Sequence, residues 1–282
     1  MKIYRHWKIR VEKIGNSDIR VKAGSDVSEE DADRLAVRKL ELIRRFDSKD
    51  ADPEELRKNL MYGENPETDA PYEVPICEEI CTRLDEHNIV TRNRYGALVL
   101  NSEDHVFLDL DPLMPSFKEM LGALFGLMRR DPKERLFALV SERMKDPALA
   151  GCAVRVYETC KGYRVLLGLR DLPANSARAQ ALMRSFRTDA LYAALCARQN
   201  CYRARLTPKP TRIRMRTALK FRFPYAEEDF PSLRQWLAEY SVKSEKYAVC
   251  RLAGTFGPDI SGDPVVAYHD RTCRLSADLP LA

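Results

Sequence analysis

The apolar run Val106-Phe107-Leu108 leads directly into Asp109-Leu110-Asp111-Pro112, and no other stretch constrains the chain as much. Side chains along a strand alternate between two faces, so Asp109 and Asp111 project to one face while Leu110 points to the other, into a core. The run therefore predicts a buried strand that delivers two acids at its end. Carboxylates held this close repel unless a cation sits between them, and hard oxygen ligands suit Mg²⁺ or Mn²⁺ carrying phosphates. Two solvated acids at a strand end would fit the same letters.

The neighbouring segments predict a mixture of helices and strands. Residues 1–22 alternate and break at Gly15-Asn16-Ser17-Asp18, which reads as a β-hairpin. Ser28 and Asp31 cap a helix carrying Ala32, Ala36, Leu40 and Ile43, with Arg44 and Arg45 near its negative end. Residues 47–72 are polar and contain Pro53, Pro66 and Pro71, so they read as a connection separating an N-terminal part, 1–72, from a larger domain, 73–282. In that domain, Ile76, Ile80 and Leu84 suggest a helix over 75–87. Ala97-Leu98-Val99-Leu100 pairs with the run at 106–108 as two strands around a tight connection. Ser116 with Glu119, and Asp131-Pro132 with Glu134, start two further helices. Strands at 153–157 and 163–167 flank Lys161-Gly162. Helices follow near 175–186, 188–198 and 231–240, and strands near 246–252 and 264–269.

Charge is distributed unevenly. Between Ala190 and Ala226 there is no Asp or Glu, yet the window holds nine basic residues inside a chain whose net charge is only +5, so the remainder is net acidic. Such a local excess attracts polyanions. Arg203 and Arg205 share one strand face, and Arg212, Arg214 and Arg216 are expected to do the same beyond Pro208 and Pro210. With Tyr202, Phe221, Phe223 and Tyr225 interleaved, these guanidinium groups offer phosphate ligands and stacking surfaces for nucleic acid. A solvated sheet face paired with distant acids is the plainer alternative. No stretch approaches the roughly 18 apolar residues of a membrane helix, and the N-terminus lacks a signal peptide's apolar run, which together suggest a cytoplasmic protein. Eight cysteines in 282 residues are too sparse for a disulfide scaffold. Cys77 with Cys81, and Cys196 with Cys201, read as buried thiols. His87, His105 and His269 are isolated in sequence, His269-Asp270 being the one worth watching.

The order Phe107-Leu108-Asp109-Leu110-Asp111-Pro112, then helices, then Glu158 to Leu167, then a basic strand, resembles the catalytic core of the archaeo-eukaryotic primase superfamily, which includes primase-polymerases. The resemblance covers roughly residues 95–210. It implies an α+β fold with a mixed or antiparallel sheet core, half of it RRM-like, flanked by helices, here with an N-terminal hairpin and helix in addition. It also implies that Asp109 and Asp111 hold Mg²⁺ or Mn²⁺, that Lys161 and Arg164 meet a nucleoside triphosphate, and that Arg203, Arg205 and Lys209 bind phosphate. Arg164 stands where that family usually has histidine. The third acid of the family has no counterpart in the basic segment, which leaves Glu158 or Asp270 to supply it. The stretch from Cys201 to Pro210 is similar to one in uncharacterised bacterial proteins.

Three functions follow as expectations. A metal-dependent nucleotidyltransferase would use Asp109, Asp111 and Asp270, with Arg212, Arg214, Arg216 and Tyr202 on the nucleic acid. A primase-like module without turnover would keep only the binding. A phosphatase of the haloacid-dehalogenase type would pair the two acids with Gly262-Asp263 and Asp270.

Overall fold

A computed structural model describes residues 1–47, 73–115, 117, 119, 121, 130–275 and 278–282. Those residues form an α+β protein with three antiparallel sheets. Strands β1 (His6–Ile14) and β2 (Ser17–Ser25) make a hairpin, and Gly15 takes the positive φ of 57° that its two-residue turn requires. Helix α1 (Glu29–Asp47) starts where Ser28 Oγ accepts the Asp31 amide at 3.1 Å. It lays Ala36 and Leu40 on Val21 and Ala23, so the hairpin and helix have an apolar cluster of their own.

The second sheet runs in the order β3 (Glu79–Arg83), β4 (Asn88–Arg92), β5 (Leu98–Ser102), β9 (Tyr202–Arg205). The third runs β10 (Cys250–Phe256), β7 (Val154–Thr159), β8 (Gly162–Leu167), β6 (Val106–Leu110). Helices α2 (Pro132–Arg143), α3 (Ala177–Ser185), α4 (Ala190–Gln199), α5 (Phe230–Ser244) and α6 (Pro264–Thr272) surround them. Alternation along β6 sends Val106, Leu108 and Leu110 to one face and Phe107 to the other, and all four are buried because helices cover both faces. On the first face Phe137 of α2 lies where a side chain on Gly254 would stand. On the second, His269 of α6 packs 5.3 Å from Phe107 and 5.0 Å from Tyr157, ring centre to ring centre.

Several elements differ from the sequence expectation, each for a physical reason. Residues 75–87 hold strand β3 rather than a helix. A spacing of four satisfies a period of two as well as 3.6, and pairing of Glu79–Arg83 with β4 decides the matter. The strand expected at 264–269 is helix α6. Val265 and Val266 favour strands, but Asp263 accepts both of their amides at 2.9 and 3.1 Å and Pro264 fills the first helical position. The strand expected at 246–252 lies further along as β10, with an irregularity between Leu252 and Gly254. β5 and β6 follow each other closely but enter different sheets. Arg212, Arg214 and Arg216 do not share a strand. Pro210–Ile213 forms a 3₁₀ turn and Arg214 takes a φ of 54°, while Ile213 and Met215 anchor the stretch in a second apolar cluster with Trp236 and Tyr240. The polar connection at 48–72 and most of the helix expected from Ser116 fall outside the described residues.

The β7–β8 turn fixes the end of β6. Thr159 pairs with Gly162 around Cys160-Lys161, and a Cβ on Gly162 would stand 2.2 Å from the Leu110 carbonyl oxygen and 3.3 Å from Asp111 Cα. Only glycine permits that approach. Gly162→Ala is therefore expected to destabilise the protein by about 1–3 kcal/mol through backbone overpacking, read as a shift of the urea midpoint. An unchanged midpoint would show that the Leu110–Asp111 backbone moves aside freely.

Candidate functional site

Strand β6 is the edge of its sheet, and its outward carbonyls need partners. Tyr192 donates its hydroxyl hydrogen to the Phe107 oxygen at 2.8 Å, and the Asp189 amide donates to the Asp109 oxygen at 2.9 Å. Asp189 also caps α4, accepting the Tyr192 amide at 2.6 Å, so the positive end of that helix abuts the strand edge beside Asp109. With the Asp109 carbonyl turned outward, its pairing with Arg164 on β8 is of the non-hydrogen-bonded kind, in which Cα atoms lie about 4.5 Å apart and side chains adjoin.

Asp109 and Asp111 are both exposed. Neither makes an ion pair or side-chain hydrogen bond among the described residues. Arg164, opposite Asp109, is buried instead, and its Nη1 donates to the Arg205 carbonyl oxygen at 3.0 Å and to His269 Nε2 at 2.9 Å. The resemblance implies that Arg164 meets a nucleoside triphosphate; in the structure its Nη1 is instead held inside by His269 of α6 and the Arg205 carbonyl.

Behind Arg164 lies a network that the expectation for Asp270 did not foresee. Asp270 accepts from Arg155 Nη2 at 2.6 Å and from the Tyr157 hydroxyl at 2.9 Å, and it holds His269 Nδ1 at 2.8 Å. Burial works against the Asp270 carboxylate, but the His269 hydrogen bond and the Arg155 charge hold it below the usual range. Burial pushes the His269 imidazolium down to about 4, with Arg164 and Arg155 adding to the effect against the opposing pull of Asp270. Asp270 is thus a structural acid fully engaged within the fold, not a third ligand beside Asp109 and Asp111. Among the described residues those two gather no third acid. The only cluster among the described residues of three or more Cys, His, Asp or Glu whose ligand atoms lie within 4.8 Å of one another is Cys250, His269 and Cys273. Sequence reasoning passed over it because 264–269 reads as a strand, on which His269 and Cys273 would share no helical face.

The basic segment divides into paired and unpaired halves. Arg203 Nη2 is bound to Glu78 at 2.6 Å and its Nη1 to Gln199 at 3.1 Å, so this arginine is paired with a distant acid, within the fold and not on a solvated face. Tyr202, expected to stack on bases, is fully buried and donates to the Leu172 carbonyl at 2.8 Å, because it alternates inward from Arg203. Arg205 and Arg212 have no ion pair of this kind among the described residues. Arg205 Nε and Arg212 Nη1 are buried without a hydrogen-bond partner there, as is Arg203 Nε. Burial first, then repulsion from Arg164 and Arg212, push the Arg205 guanidinium down to about 10, and Asp109 is the carboxylate that opposes this. Lys161 is exposed on the turn beside Asp111, Arg214 and Arg216 are exposed further on, and Lys209 lies 5.6 Å from the centre of the Tyr95 ring. Asp109 therefore stands opposite Arg164 and within electrostatic reach of Arg205, which Arg212 in turn repels, while Arg203 and Tyr202 are engaged inside the fold.

No protein-family model, no curated protein and no solved structure matches the chain.

Exchanging the Asp270 carboxylate for an amide removes the charge that pairs with Arg155 and turns one of its two acceptor oxygens into a donor facing the buried Arg155, Tyr157 and His269 groups. Asp270→Asn is expected to cost about 3 kcal/mol of stability in urea denaturation. A loss below about 1 kcal/mol would mean that solvent reaches the Arg155 guanidinium and replaces the bond.

Proposed function

We propose that the chain binds the phosphate groups of nucleic acid or nucleotides at the Asp109 end of β6, and that it does so as a binding module. The observation that carries this reading is the Arg205–Arg212 pair, two guanidinium groups that each keep a buried nitrogen without a hydrogen-bond partner among the described residues and whose charges, with that of Arg164, repel. Buried donors without acceptors and like charges in proximity are both costly, and a phosphate relieves both at once. Lys161, Arg214 and Arg216 extend the positive surface along which a polyanion would lie. Asp109 and Asp111 bring hard oxygen donors next to these cations, a set that suits Mg²⁺ or Mn²⁺ shared with a phosphate.

The nucleotidyltransferase reading is supported by the same two acids at the strand end and by the glycine turn against them. It is weakened by the engagement of Asp270 with Arg155, Tyr157 and His269, which leaves Asp109 and Asp111 without a third acid. The phosphatase reading lacks its late acid, because Asp263 caps α6 and pairs with Arg170 at 2.7 Å. Among the described residues no helix is long and apolar enough to cross a membrane.

A labelled single-stranded oligonucleotide titrated at increasing salt tests the binding. The affinity should fall steeply with salt, and Arg205→Ala should weaken it by roughly tenfold to a hundredfold, the worth of a charge-assisted hydrogen bond. Binding that is weak and indifferent to salt would remove the reading. Incubation with nucleoside triphosphates and Mg²⁺ or Mn²⁺ should give no incorporation; incorporation abolished by Asp109→Ala would establish the transferase instead.

A further inference from the structure

We infer that Cys250, His269 and Cys273 form a buried site for a thiophilic divalent ion of the zinc class. The three side chains have their ligand atoms within 4.8 Å of one another and all are fully buried. Tetrahedral zinc with bonds of about 2.0–2.3 Å would place such atoms roughly 3.3–3.8 Å apart, so ion binding draws the three groups together by up to about 1–1.5 Å. Two sulfurs and one imidazole nitrogen form a soft set that favours zinc over magnesium or calcium.

The backbone arranges these groups before any ion arrives. His269 and Cys273 lie four residues apart on one face of α6 and its C-cap, where the Cys273 amide donates to the His269 carbonyl at 2.8 Å. Cys250 opens β10, and the preceding Val249 amide donates to the Cys273 carbonyl at 3.0 Å, which locks the strand to the helix end. The imidazole is oriented independently. Asp270 takes Nδ1, so Nε2 is the nitrogen turned toward the sulfurs, and Asp270 is itself held by Arg155 and Tyr157. A carboxylate behind a ligating histidine is the usual way a protein fixes the ring of a metal ligand. The three protein groups leave the fourth tetrahedral position for a water or another exogenous ligand.

Arg164 is the cation now beside this cluster, with Nη1 2.9 Å from His269 Nε2 and 3.9 Å from Cys273 Sγ. On ion binding, the two thiols release their protons to solvent, the ion takes Nε2 and both thiolates, and Arg164 transfers its N–H from Nε2 to a thiolate. The dication and two thiolates then cancel, and the guanidinium faces a sulfur rather than an ion. The inference stands whether or not the protein binds phosphate.

The full chain, purified reduced and without chelator, should carry one equivalent of zinc by elemental mass spectrometry. Replacing zinc with Co²⁺ should produce thiolate-to-cobalt charge-transfer absorption. Cys250→Ser and Cys273→Ser should each lower zinc affinity at least tenfold in competition with a chromophoric chelator, while Cys160→Ser, an exposed cysteine elsewhere, should not. A cobalt complex without thiolate absorption, or a zinc content that survives both substitutions, would overturn the site. If either variant fails to fold, the wild-type cobalt spectrum alone decides.

Discussion

The hydrogen-bonded chain from Arg155 through Asp270 and His269 to Arg164, and on to the Arg205 carbonyl, holds the larger part of the molecule together. It joins β7, α6, β8 and β9, and so connects the two four-stranded sheets beneath one helix. Every member is buried or nearly so, which makes the arrangement demanding: a charge removed from water is tolerated only when its partners are in place. The alternation of opposite charge and neutral imidazole along the chain meets that demand as far as Arg164. It stops at Arg205, whose backbone takes part while its guanidinium does not.

That interruption separates neutralised charge from charge left without a counter-ion among the described residues. Arg203 has the same residue type, strand and face as Arg205, yet Glu78 neutralises it and Gln199 accepts from its Nη1, although its Nε, like that of Arg205, finds no partner among the described residues. Arg155 is neutralised by Asp270 in the same way. Arg205 and Arg212 keep buried donors unmatched beside exposed carboxylates that also lack partners, which is the pattern expected where a protein retains charge for something outside itself. The edge of β6 contributes by geometry. Because α4 and Tyr192 occupy its outward carbonyls, the strand cannot recruit another strand, and its open end is left to the two aspartates.

A good part of this was legible in the letters. The hairpin, α1, α2 and the β7–β8 turn follow from local signals that act within a few residues: a glycine with positive φ, a serine or aspartate cap, a proline at the first helical turn. The same kind of signal stood at Asp263-Pro264, and it outweighed the β-branched pair Val265-Val266, since a satisfied helix start is worth more than a weak side-chain preference. Where two periods coincide, as at Ile76, Ile80 and Leu84, the letters are ambiguous and only the neighbouring strand resolves them.

For the site, the sequence by itself determined that Asp109 and Asp111 stand at the end of a buried strand and that positive charge gathers between Ala190 and Ala226, because alternation and composition are properties of adjacent residues. Which arginines are neutralised was decided by the tertiary structure alone. Glu78 lies 125 residues from Arg203 and Asp270 lies 115 from Arg155. A charge pair forms through space, and nothing local in the chain records which acid a fold will bring to which base. The same holds for Cys250, His269 and Cys273, which meet only because a strand start and a helix end share one backbone hydrogen bond.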